Sequence, residues 1–128
     1  MATLEDAARI AMDLPGVSEG ERFGTRTWLV RKQVFAWERP FSKADIKRFG
    51  DETPPAGPIL ALSVEDLGEK AAVLAAAHDG FFTISHFDGY VAVLVQLRRA
   101  KQRVLREAIV DAWLVCAPTK LAEEYLGR

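Results

Sequence analysis

A chain of 128 residues is about the size of one domain, and can bury roughly two thirds of its unfolded surface in one core. Hydrophobic residues make up 49% and charged residues 27%, which argues against disorder, and the net charge of −1, taken alone, argues against a nucleic-acid binder. Cys116 is the only cysteine, so no internal disulfide can form; the longest apolar runs fall short of a membrane span, and no basic segment followed by an apolar one opens the chain. These features lead us to expect a cytoplasmic protein with no membrane partner.

In chain order, Leu4, Ala7, Ala8, Ala11 and Leu14 recur at helical spacing. Thr3 as N-cap with Asp6 at the third helical position predicts a helix over 3–14, ended by Pro15-Gly16. Residues 15–25 read as a loop. Residues 26–38 read as a hairpin, Thr27–Val30 turning through Arg31-Lys32-Gln33 into Val34–Trp37, with Trp28, Val30, Phe35 and Trp37 facing inward.

A long connection, 39–58, holds a short helix from Ser42 to Phe49, capped by Ser42 with Asp45 at the third position and stopped by Gly50. A short strand, Ile59–Leu62, leads to a helix over Val64–Ala77 that Ser63 could cap. The segment Phe81–Phe87, Asp88-Gly89, Tyr90–Leu97 carries the strongest short hairpin signal. A two-residue loop there pairs Ile84 with Val93 and puts Phe82, Ile84, His86, Val91, Val93 and Val95 on a core face. A long amphipathic helix over 101–116 and a short one over Thr119–Leu126 complete the chain. Strand runs joined by hairpins and broken by helices indicate an α+β, two-layer fold. We expect an antiparallel sheet of about five strands, with helices mainly on one face, in a single domain over 1–128.

Little in the sequence points to catalysis. Cys116 lies on an apolar helical stripe, where a thiol is usually buried and inert. The two histidines, His78 and His86, are not at metal-ligand spacing, and no nucleophile elbow, phosphate loop or dinucleotide fingerprint occurs. We expect no metal and no cofactor, and a non-catalytic binding protein. An enzyme would need His86 in a cleft beside Glu38, Arg39 or Tyr90.

Charge, in contrast, is unevenly spread. Between Arg22 and Arg48 there are eight basic residues and two acidic ones. Arg26, Arg31, Lys32, Arg39, Lys43, Lys47 and Arg48 are therefore candidate phosphate contacts for DNA, provided they converge on one face. The alternative is a protein- or small-ligand-binding surface, which could also join two copies of the chain. It would be built from Thr83, Ser85, His86, Phe87 and Tyr90 on the mixed face of the hairpin.

Three stretches, FAWERPFSKADIKRFGD (Phe35–Asp51), FFTISHFDGYVAVLVQL (Phe81–Leu97) and AWLVCAPTKLAEEYL (Ala112–Leu126), resemble the MmcQ/YjbR family, as does DLPGVSEG followed by Phe23-Gly24. The resemblance spans nearly the whole chain. It implies a compact two-layer α/β domain similar in topology to type III secretion chaperones, in a family commonly labelled DNA-binding through a double-wing arrangement. It brings no catalytic residue and no cofactor.

Overall fold

The computed structural model describes residues 1–127. It is an α+β fold built on one six-stranded sheet. The strands are β1 (Val17–Arg22), β2 (Thr25–Val30), β3 (Gln33–Glu38), β4 (Ile59–Ser63), β5 (Phe81–Phe82) and β6 (Ala92–Gln96), with every neighbouring pair antiparallel in the order β1-β2-β3-β4-β6-β5. The helices are α1 (Leu4–Met12), α2 (Lys43–Phe49), α3 (Leu67–Ala75), α4 (Gln102–Cys116) and α5 (Thr119–Leu126).

Local chemistry sets the ends of α1 and α2. Thr3 and Asp6 form a reciprocal capping box on α1, and Ser42 and Asp45 form one on α2, so each closes two backbone donors that would otherwise be unpaired. The cap of α3 is Asp66 rather than the expected Ser63, whose β4 backbone pairs with Ala92 instead.

The sheet is covered on both faces, unequally. The large core lies under the helices: Trp28, Val30, Phe35, Leu60, Leu62, Val93 and Val95 of the sheet meet Ile10 of α1 and Leu105, Ile109 and Trp113 of α4. On the opposite face a smaller core gathers Ile59, Ala61, Phe87, Ala92 and Leu94, with Trp37, Phe41, Phe82 and Ile84 packed against it. Strands β4 and β6 are therefore apolar at consecutive positions instead of alternating, as buried central strands are.

Four expectations change in the tertiary structure. Residues 17–22 form an edge strand, not a loop, paired along their whole length with β2. Trp37 does not face inward with Trp28 and Phe35. A bulge between Trp28 and Leu29 on β2 and Val34 and Ala36 on β3 leaves Phe35 as an extra residue, and the phase of β3 flips after it. The expected turn at Asp88-Gly89 forms, but its strands do not reach it. Asp88 (φ −59°, ψ 130°) and Gly89 (φ 74°) give a type II turn, whose backbone does not follow the twist of a hairpin. Strand β5 thus ends at Phe82, and Ser85–Phe87 winds into a short 3₁₀ turn. The register is Phe81 with Val95 and Phe82 with Leu94, one residue from the expected pairing. One step exchanges the faces: Phe82 and Ile84 join the smaller core, and His86 is exposed instead of facing the core.

Candidate functional site

The face of the sheet away from α1 and α4 carries an open groove of about 530 Å³. Thr25, Thr27, Val34 and Trp37 of β2 and β3 line its floor, with Ser63 at the end of β4. Arg22 and Phe23 of the β1–β2 turn border it on one side, and Arg39, Pro40, Phe41 and Ser42, between β3 and α2, on another. Tyr90 separates it from a second depression of about 430 Å³, lined by Trp37, Arg39, His86, Phe87, Asp88, Gly89 and Tyr90. Trp37, Arg39 and Tyr90 border both, so the two form one continuous surface.

Aromatic edges build its walls. Trp37 and Tyr90 meet edge-on at 6.4 Å between ring centroids, and Phe87 and Tyr90 meet at 5.5 Å and 89°. The Arg39 guanidinium lies 5.4 Å from the centre of the Phe87 ring, a cation–π contact. Phe23 is 96% exposed and has φ 54°, an unusual conformation for a bulky residue, so an aromatic ring stands free at the groove mouth.

Two buried charges of opposite sign hold these walls. Asp45 of α2 is 2% exposed; its Oδ2 accepts from the Ser42 backbone N–H at 2.9 Å and pairs with Arg39 Nη1 at 2.9 Å. Burial pushes this carboxyl up, but hydrogen bonds from Ser42 and Arg39 outweigh it and hold it below the usual 3.8. Arg39 Nη1 also donates to the Pro40 carbonyl. Lys70 of α3 is 7% exposed, and its Nζ donates to the carbonyls of Phe87 and Tyr90 at 2.5 and 2.8 Å. Desolvation lowers its pKa from the usual 10.5, and the charge of Asp88 opposes that shift.

The seven candidate phosphate contacts do not stand together. Arg26 faces the helix layer, bonded to both oxygens of Glu19 at 2.9 Å, paired with Glu5 of α1, and lying over Trp28. Arg39 and Arg48 both approach Asp45, at 2.9 and 3.5 Å. Arg31 and Lys32 form the tip of the β2–β3 hairpin, whereas Lys43 and Lys47 belong to α2, which follows the opposite end of β3. Strand β3 alone separates the two groups by roughly 16 Å at about 3.3 Å per residue.

The residues proposed for the mixed face also divide. Phe87 is buried, His86 and Tyr90 border the groove, and Thr83 and Ser85 line a separate cavity of about 180 Å³ with Asp45, Arg48, Phe49 and Ile84. His86 does share a depression with Arg39 and Tyr90. Cys116 is half-buried, with its thiol 3.8 Å from the Val34 carbonyl and its pKa raised by burial, as an inert thiol would be. No group of three or more metal-binding side chains forms among the described residues, and no described helix is long and apolar enough to cross a membrane.

Sequence reasoning missed Trp37, Phe23 and Lys70 as site residues. The left-handed Phe23-Gly24 turn offered a faint signal. Lys70 gave none, because its partners lie 17 and 20 residues further along the chain.

The YjbR family profile matches residues 12–115. The chain belongs to the YjbR family. Within the YjbR match lie the β1–β2 turn, Trp37, Arg39, Lys70 and the 85–90 segment, all the elements that shape the groove. Uncharacterized proteins of Mycobacterium bovis and Mycobacterium tuberculosis are 43% identical to this YjbR chain over 131 aligned residues, covering 100% of it and 98% of each relative. No solved structure matches.

Proposed function

We propose that this YjbR-family chain is a non-catalytic binding module whose site is the groove between β3, the β1–β2 turn and the 85–90 segment. One observation carries the reading. Trp37 and Arg39 at the end of β3, and Tyr90 about fifty residues further along the chain, border one continuous depression on the sheet face away from α1 and α4. Its size suits a small organic ligand. The aromatic edges of Trp37, Tyr90 and Phe41 favour a planar or apolar body, and Thr25, Thr27, Ser42 and Arg39 supply a few polar contacts. Arg39 is already paired with Asp45, so it favours a neutral or weakly anionic polar group over a bare phosphate.

The test is a screen of aromatic fragments by amide chemical-shift perturbation. Binding fragments should shift residues 23–27, 37–41 and 86–90, and Trp37→Ala or Tyr90→Ala should weaken them at least tenfold. Shifts scattered over the surface, or an unchanged response in both variants, would overturn the reading.

A second reading, duplex DNA, draws on Arg31, Lys32, Lys43 and Lys47, which form no ion pair among the described residues. Anisotropy of labelled duplex from about 50 to 200 mM salt tests it, because each neutralised phosphate adds about −0.9 to the log–log slope. Salt-dependent binding that Lys43→Ala and Lys47→Ala weaken would favour DNA over the groove.

A further inference from the structure

We infer that Lys70 is the positioning residue of the groove: its buried ammonium fixes the Phe87–Tyr90 turn and so sets Tyr90 against Trp37. This rests on the groove reading for its functional meaning, but its structural claim can be tested separately. Lys70 sits one turn into α3, and its own backbone N–H bonds to the carbonyl of Asp66, the residue that caps that helix. Its stem is buried and its Nζ reaches the two carbonyls that bracket Asp88-Gly89. The Phe87 carbonyl also accepts the Tyr90 N–H at 2.9 Å, which closes the turn, so the ammonium grips the turn at its closing bond.

Apart from the buried Phe87 ring and Ile84, which pack in the smaller core, few backbone bonds hold this segment to the sheet. Strand β5 ends at Phe82 and β6 begins at Ala92, so residues 83–90 lie outside the ladder, and the first bond back to the β4 side is the Val64 N–H to the Val91 carbonyl at 3.0 Å. An ammonium is taken out of water only at considerable cost, and it is tolerated here because two carbonyls and the nearby Asp88 charge answer it. Both side chains on the gripped turn belong to the groove: Phe87 lies under Arg39, and Tyr90 stands against Trp37.

The experiment compares amide hydrogen exchange in the wild type, Lys70→Met and Lys70→Ala. The hydrogen-bonded amides of Phe87, Asp88 and Tyr90 should exchange at least tenfold faster in both variants, while those of Leu60, Leu62 and Leu94 change less than twofold. Adding n-propylammonium to Lys70→Ala, which replaces the missing atoms and charge, should restore loop protection to within about threefold. The same concentration of n-propanol should not. Fragments that bind the groove should weaken and recover in parallel. Unchanged loop exchange, equal acceleration across the sheet, or equal rescue by propanol would overturn the assignment. If no fragment binds even the wild type but the loop behaves as stated, the groove reading fails and the role of Lys70 in fixing the turn stands.

Discussion

Arg39 and Asp45 meet at 2.9 Å, and the oxygen of Asp45 that receives the guanidinium also accepts the Ser42 N–H in the α2 cap. One carboxylate thus starts a helix and anchors a wall of the groove. Its other oxygen, Oδ1, is buried and makes no hydrogen bond among the described residues, with only the Arg48 guanidinium at 3.5 Å to answer its charge, so the site has little tolerance for a weaker acceptor. Replacing Asp45 with Asn would leave Arg39 facing a neutral amide and weaken the cap. Because Arg39 keeps some access to solvent, the expected loss is about 2–3 kcal/mol, somewhat under the range for breaking a fully buried pair. Urea unfolding would show it as a lower midpoint with an unchanged slope.

The same pair makes stability depend on pH. The folded-state pKa of Asp45 lies below its unfolded value of 3.8, so the folded protein binds fewer protons in that range. The stabilisation is complete above the unfolded pKa and disappears as pH falls through the folded one. The stability gap between wild type and Asp45→Asn should be flat from pH 8 to pH 5 and narrow below pH 4. Lys70 acts at the other end of the scale. Its folded pKa is below 10.5, so its charge opposes folding at neutral pH, and that penalty lifts as pH rises towards 10.5. Wild type should therefore gain stability relative to Lys70→Met between pH 8 and pH 10.5.

The basic hairpin tip can be altered without harming the fold. Arg31 and Lys32 have φ 48° and 73°, and Val30 pairs directly with Gln33, so two non-glycine residues occupy left-handed positions in a two-residue turn. Asn-Gly is the pair such a turn prefers. The double substitution Arg31→Asn and Lys32→Gly should raise stability by about 1 kcal/mol, read as a higher midpoint in thermal unfolding. It also removes two positive charges. If the tip contacts duplex DNA, the salt slope should flatten by nearly two units; if the groove is the site, fragment binding should not change.

Two glycines with similar φ should respond differently to alanine. Gly80 has φ 88°, and a Cβ there would lie 2.6 Å from the Gln96 carbonyl oxygen and 3.2 Å from the Ala100 nitrogen. Gly24 has φ 77° and open space around it. Gly24→Ala should cost about 1 kcal/mol from backbone strain alone. Gly80→Ala should cost at least about 2 kcal/mol more, because backbone atoms of the β6 end must move. Paired thermal melts of the two variants check the difference.

What the sequence determined by itself is local. Thr3 with Asp6 and Ser42 with Asp45 mark helix starts because a cap is completed within four residues. The stripe Leu105, Ile109, Ala112 and Trp113 marks α4 because one helical face meets the core wherever the helix docks. The type II turn at Asp88-Gly89 was legible as a turn for the same reason. Decisions among distant partners belonged to the tertiary structure. Strand β1, with Glu19, Gly20 and Glu21 at its centre, has little propensity of its own and exists because β2 supplies its ladder. The bulge at Phe35 and the one-residue shift at Phe81–Val95 decide which aromatics reach the groove, and both follow from packing two faces of one sheet at once. Charge pairing was equally unreadable: Arg26 found Glu5 and Glu19, and Lys70 found two carbonyls across the turn, because a side chain's partner is set by where the backbone returns in space rather than by its neighbours along the chain.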